Sequence, residues 1–148
     1  MLKELEDLLL QKERKILFVG IGNVLKSDDG TGVYISNNIR NRDNITSLTV
    51  EVSIENYIGK INTLKPDILV LIDCVDLSES PGTCKLLDIN EIQDITFNTH
   101  NISLRKLSDF FLMPVFILAI QPEKIEFGEN ISYLVKDIAD RIINQINT

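Results

Sequence analysis

Three short, nearly unbroken apolar runs constrain this chain more than anything else in it: KILFVGI at 15–21, DILVLID at 67–73 and VFILAI at 115–120. A run of this length without alternation reads as a strand covered on both faces, the condition found in parallel sheets. Between the runs the apolar spacing changes to that of a helix. Val33, Ile35 and Ile39 mark a helix over 32–40, and Ile54, Tyr57, Ile58 and Ile61 mark one over 54–64. Residues 101–111 and 129–146 suit two more, and Leu2, Leu5, Leu8 and Leu9 form the apolar stripe of an amphipathic helix within 1–14. Residues 45–53 alternate as a strand does, and 83–89 reads as a shorter one. The expectation is an α/β fold: three layers, with a mostly parallel twisted sheet of about five strands and helices on both faces.

A chain of 148 residues holds one such domain, and it shows no repeat or linker that would divide it. With 44% hydrophobic and 25% charged residues it has enough apolar surface to fold. Its net charge of -7 argues against nucleic acid or an anionic membrane as partner and favours a cation or a cationic protein. The first residues, MLKELEDLLL, lack the basic flank and long apolar centre of a signal peptide. The most apolar stretch, FFLMPVFILAI, is too short to span a bilayer and contains Pro114. Cys74 and Cys84 form neither a CxxC pair nor a framework, so they are expected as reduced thiols in a cytoplasmic protein, with monomer as the default state.

In open α/β sheets ligands collect beyond the carboxyl ends of the strands. Three places qualify. The first is GIGNVLKSDDGTG at 20–32. Leu25 stands where a dinucleotide fingerprint needs glycine, and the Gly-Lys-Ser/Thr of a phosphate loop and the spaced acids of an EF-hand are missing. Adjacent carboxylates at Asp28 and Asp29 would repel phosphate; they either cap the helix starting near Gly30 or hold a cation. The second is Asp73, a ligand or a turn-forming acid, followed by Asp76 in the polar turn DLSESPG. The third is His100, the only histidine, which with Asn98, Thr99 and Asn101 occupies a polar turn at a helix start and serves as a ligand or as a surface cap. Two carboxylates and one imidazole make an O/O/N set for a transition metal with open positions, whereas four ligands for a closed zinc site cannot be assembled. Cys74 follows Asp73 directly and so points to the opposite face of its strand, and no spacing suggests an activated Cys–His pair.

The ordered motifs GxGNxLxxDDGxG, LxxxDCVD with PGT after it, THNxSL and FxLAIQPExIEFG resemble the hydrogenase maturation endopeptidases, and most nearly their formate-hydrogenlyase and archaeal branch. The resemblance runs from about Lys15 to the end of the chain. It implies a peptidase that trims the C-terminus of the nickel–iron hydrogenase large-subunit precursor after nickel insertion, with nickel supplied by the substrate. By motif position it implies metal contacts at Asp29, Asp73 and His100, catalytic acids at Asp29, Asp73 and Asp28, and a frame of Gly22, Asn23, Gly30 and Gly32. Asp28 would orient Asp29. The chain departs from the family at VEVSIEN (50–56), where a Gly-rich turn is usual and only Glu55-Asn56 is kept, and it adds the helix of residues 1–14 as a packing element or a partner contact. Two other readings stay open: a metal-dependent hydrolase of another small substrate, and a nickel-checkpoint protein that binds the large subunit without cutting it.

Overall fold

The computed structural model describes residues 2–91 and 103–148. Five strands form one sheet: β1 (Ile16–Ile21), β2 (Ile45–Glu51), β3 (Ile68–Cys74), β4 (Cys84–Asp88) and β5 (Val115–Ile120), in the order β2-β1-β3-β5-β4. β1, β2, β3 and β5 run parallel, and β4 pairs antiparallel with β5 at one edge. Every residue of β1 and β3 is buried, while the edge strands β2 and β4 are half exposed. That difference is why the central strands are continuous apolar runs and the edges are mixed.

Both faces are covered. Odd-and-even alternation along the strands sends Ile16, Phe18, Val70, Ile72 and Leu118 to one face. There they pack against α1 (Lys3–Leu9), α2 (Thr31–Asn37) and α5 (Tyr133–Asn147) through Leu5, Leu8, Ile35, Val135, Ala139 and Ile142. Leu17, Val19, Leu69, Leu71 and Ile117 go to the other face, against α3 (Ile58–Leu64) and α4 (Leu104–Leu107) through Ile61, Leu104 and Leu107. The N-terminal helix is thus a packing element: Leu5 and Leu8 are buried in the first cluster, and the Gln145 side-chain amide donates to the Leu2 carbonyl at 2.8 Å.

Some boundaries differ from the periodicity. The helix expected over 54–64 begins as a 3-10 turn at Ile54–Tyr57 before α3. The closing helix starts at Tyr133 rather than 129, because the residues before it are fastened to the loop after β1. The turn that leaves β2 is built without glycine: Glu51 itself adopts the left-handed conformation, φ 54°, and its carbonyl accepts from the Gly22 amide at 2.9 Å. Among the described residues no helix is long and apolar enough to cross a membrane.

Candidate active site

From β1 the chain crosses to β2 on one side and then returns to β3 on the other, so the loops leaving β1 and β3 diverge. A crevice opens where strand order reverses in this way, beyond the carboxyl ends of the strands. Asp29 and Asp73 both stand there, and both are fully buried. Asp73 lies one residue past the Gly20–Ile72 pair of β1 and β3 and opposite Ala119 of β5. Its Oδ1 accepts from the Cys74 amide at 2.9 Å.

Residues 22–30 fold into a tight turn that presents Asp29. Asn23 organises it twice over: its amide donates to Asp29 Oδ2 at 2.9 Å, and its own Oδ1 accepts from the Leu25 amide at 2.9 Å. Gly22 sits at φ 145°, and a Cβ there would lie 1.9 Å from the Asp29 carbonyl oxygen. Gly32 passes between the two strand ends, where a Cβ would meet the carbonyl oxygens of Ile72 at 2.3 Å and Ile21 at 2.4 Å. These two glycines are close-approach positions that any side chain would fill, which explains their place in the motif. Gly30 is less tightly constrained, its nearest neighbour being the Val24 Cα at 3.0 Å.

The second acid of the pair has a different employment. Asp28 is fully buried, and its Oδ2 accepts from the Glu123 amide at 2.8 Å, the Lys124 amide at 3.0 Å and the Ser132 hydroxyl at 2.7 Å. Oδ1 accepts from the Ser132 amide at 2.7 Å. The backbone of the same residue accepts from the Thr31 hydroxyl at 2.6 Å and the Cys74 thiol at 2.9 Å. Asp28 therefore ties the segment between β5 and α5 to the loop after β1. The helix start at Gly30 carries no side-chain cap, so the capping alternative for this acid does not hold. Its carboxylate bonds run to 123, 124 and 132, while the Asn23 amide bonds the Asp29 carboxylate directly.

Three of the four bonds to the Asp28 carboxylate come from backbone amides, which no residue type announces, and Ser132 is one serine among many. The signal in the sequence was the motif FxLAIQPExIEFG, which covers Glu123 and Lys124 without marking them as partners of Asp28.

Both thiols are held away from nucleophilic use. Burial pushes the Cys74 thiol well above its ordinary value, and the nearby charges of Asp73, Asp29 and Asp28 push it further. Asp28, Asp29 and Asp73 are all fully buried. Burial pushes the Cys84 thiol up to about 12. Neither is the low-pKa thiolate that a cysteine nucleophile requires.

Among the described residues no group of three His, Cys, Asp or Glu side chains is placed to hold a metal ion. Asp29 and Asp73 are two of the three ligands expected from the motifs, and His100, the third, lies outside the described residues.

Comparison with known proteins gives one answer. The family model for hydrogenase maturation proteases matches residues 34–148. A Methanocaldococcus jannaschii protein assigned to the hydrogenase maturation proteases is 30% identical over 96% of this chain and 94% of its own length. The hydrogenase 3 maturation protease of Escherichia coli is 26% identical over 85% of each chain. The crystal structure of a nickel–iron hydrogenase maturation protease from Thermococcus kodakarensis superposes with a TM-score of 0.82 at 25% identity, covering 99% of this chain and 100% of the other.

Proposed function

This chain belongs to the hydrogenase maturation protease family, and on that premise we propose that its cut removes the C-terminal extension of a nickel–iron hydrogenase large-subunit precursor that already carries nickel. The protein is an endopeptidase acting in hydrogenase maturation. The observation that carries the finer reading is the placement of Asp29 and Asp73, two fully buried carboxylates, one in the loop after β1 and one near the end of the neighbouring strand β3, where the sheet order reverses. Carboxylates gathered at one point are oxygen ligands suited to a divalent cation, and a cation brought by the substrate reaches them only when the precursor is docked.

In this reading nickel is part of the substrate. Asp29 and Asp73 offer oxygen ligands, His100 offers a nitrogen, and the remaining positions stay with the precursor. Docking the metal sets the adjoining peptide bond in the crevice. A water polarised beside the docked cation adds to the scissile carbonyl, the C–N bond breaks, and the proton released by the water passes to the leaving amine. The trimmed subunit keeps a new carboxylate and the released peptide a new amino terminus. Asp28 serves the site by holding the loop on which Asp29 stands.

The test is incubation with nickel-loaded precursor, read by intact-protein mass. The expected result is a mass loss equal to the C-terminal extension. Asp29→Ala and His100→Ala are expected to leave the precursor uncut while keeping the native circular dichroism spectrum. Normal trimming by both variants would refute the ligand assignment. An unshifted mass with a stable wild-type complex would support the checkpoint reading instead.

A further inference from the structure

Phe127 is 88% exposed, more than any other large apolar residue described, yet it does not sit on a loose loop. The Ser27 amide donates to the Gly128 carbonyl at 2.6 Å, the Ser27 hydroxyl to the Glu126 carbonyl at 2.8 Å, and the Gly128 amide to the Leu25 carbonyl at 2.8 Å. With the four bonds to the Asp28 carboxylate, these hold the 121–132 segment against the loop after β1 along most of its length. Gly128, at φ 154°, supplies the backbone conformation that this turn needs. A loop fastened on both sides of its tip has little freedom to fold the ring back onto the protein.

The same bonds set Phe127 alongside residues 24–26, since Lys26 pairs with Gly128 in parallel. Val24 and Leu25 are 37% and 46% exposed. Next in the chain stands Asn23, whose amide holds the Asp29 carboxylate. An exposed apolar rim and the buried acid pair thus belong to one rigid unit.

From this we infer that Phe127, with Val24 and Leu25, is the docking anchor for the hydrogenase large-subunit precursor, receiving apolar side chains of the folded subunit beside the segment to be cut. The inference rests on the proposed peptidase reading and adds the surface that selects the partner. Continuity with the Asp29 loop argues for the substrate as occupant. A second copy of this chain is disfavoured, because self-contact would bring together two chains of net charge -7. A central aromatic on a preorganised support, set among smaller apolar residues, is the usual composition of an interface hot spot, and its rigidity spares the entropy of ordering on binding.

The experiment compares wild type, Phe127→Ser and Leu112→Ser for binding to immobilised nickel-loaded precursor, with thermal unfolding and trimming kinetics alongside. Leu112 is 81% exposed but lies just before β5, at the opposite end of the sheet, and serves as the control for general surface apolarity. Expected for Phe127→Ser is binding weakened about ten-fold or more, KM raised by a similar factor with kcat little changed, and an unaltered unfolding temperature. Leu112→Ser is expected to match wild type in all three. Wild-type affinity in Phe127→Ser would overturn the docking inference while leaving the peptidase intact. Wild-type binding that depends on Phe127, with no change in precursor mass, would remove the peptidase reading and keep the docking surface. A dimer in sedimentation that dissociates on Phe127→Ser would overturn the inference in favour of self-contact.

Discussion

Replacing Asp28 tests how the site is held together. Its carboxylate accepts four hydrogen bonds of 2.7–3.0 Å from three backbone amides and one hydroxyl, all reaching it from the 123–132 segment. In Asp28→Ala these donors lose their acceptor at a buried position. At a net worth of about 1–1.5 kcal/mol for each bond, the loss comes to about 4–6 kcal/mol, a large part of the stability of an ordinary domain. Asp28→Asn keeps one oxygen. With that oxygen in the Oδ2 position three bonds survive and the new NH2 faces the Ser132 amide, so the expected loss is about 2 kcal/mol. The chain contains no tryptophan, so urea unfolding is best followed by far-ultraviolet circular dichroism, with free energies taken by linear extrapolation. Both variants should show an unchanged slope and lower midpoints, alanine far below asparagine. A loss under about 1 kcal/mol for alanine, or asparagine worse than alanine, would refute the clamp.

Gly32→Ala would drive a methyl into the Ile21 and Ile72 carbonyls and should destabilise by about 3 kcal/mol, whereas Gly59→Ala, in α3 with nothing within 4 Å of the added carbon, should stabilise by about 0.5–1 kcal/mol; both are read from the same urea curves. Leu5→Ala removes a fully buried side chain from the cluster beneath α5 and should cost about 3 kcal/mol, and a midpoint within error of wild type would show that the N-terminal helix is not part of the core. Neither thiol should react with a disulfide reagent in the native protein at pH 8, while both should react once urea has unfolded it. Because folding raises both thiol pKa values, their contribution to stability is complete below the ordinary value of 9.0 and is lost as pH climbs above it. For Cys84 that loss continues up to about 12, so melting temperatures should fall steadily through this range.

The sheet was legible because KILFVGI and DILVLID must be covered on both faces, and their alternation with helical spacing places them in a parallel sheet flanked by helices. The site was partly legible for the same reason. An acid at the end of a buried strand, as at Asp73, and acids in the loop after the first strand, as at Asp28 and Asp29, fall where α/β topology gathers ligands. What residue types could not separate was the acidic pair itself. Asp28 and Asp29 are chemically identical neighbours, and only the fold sends one toward the amides of 123, 124 and 132 and leaves the other on the Asn23 turn beside β3. Local sequence determines which segments must be buried and in what period. The employment of a polar side chain is set by which backbone donors the tertiary structure brings within 3 Å of it, and a backbone amide looks the same in the sequence whichever acid it will serve.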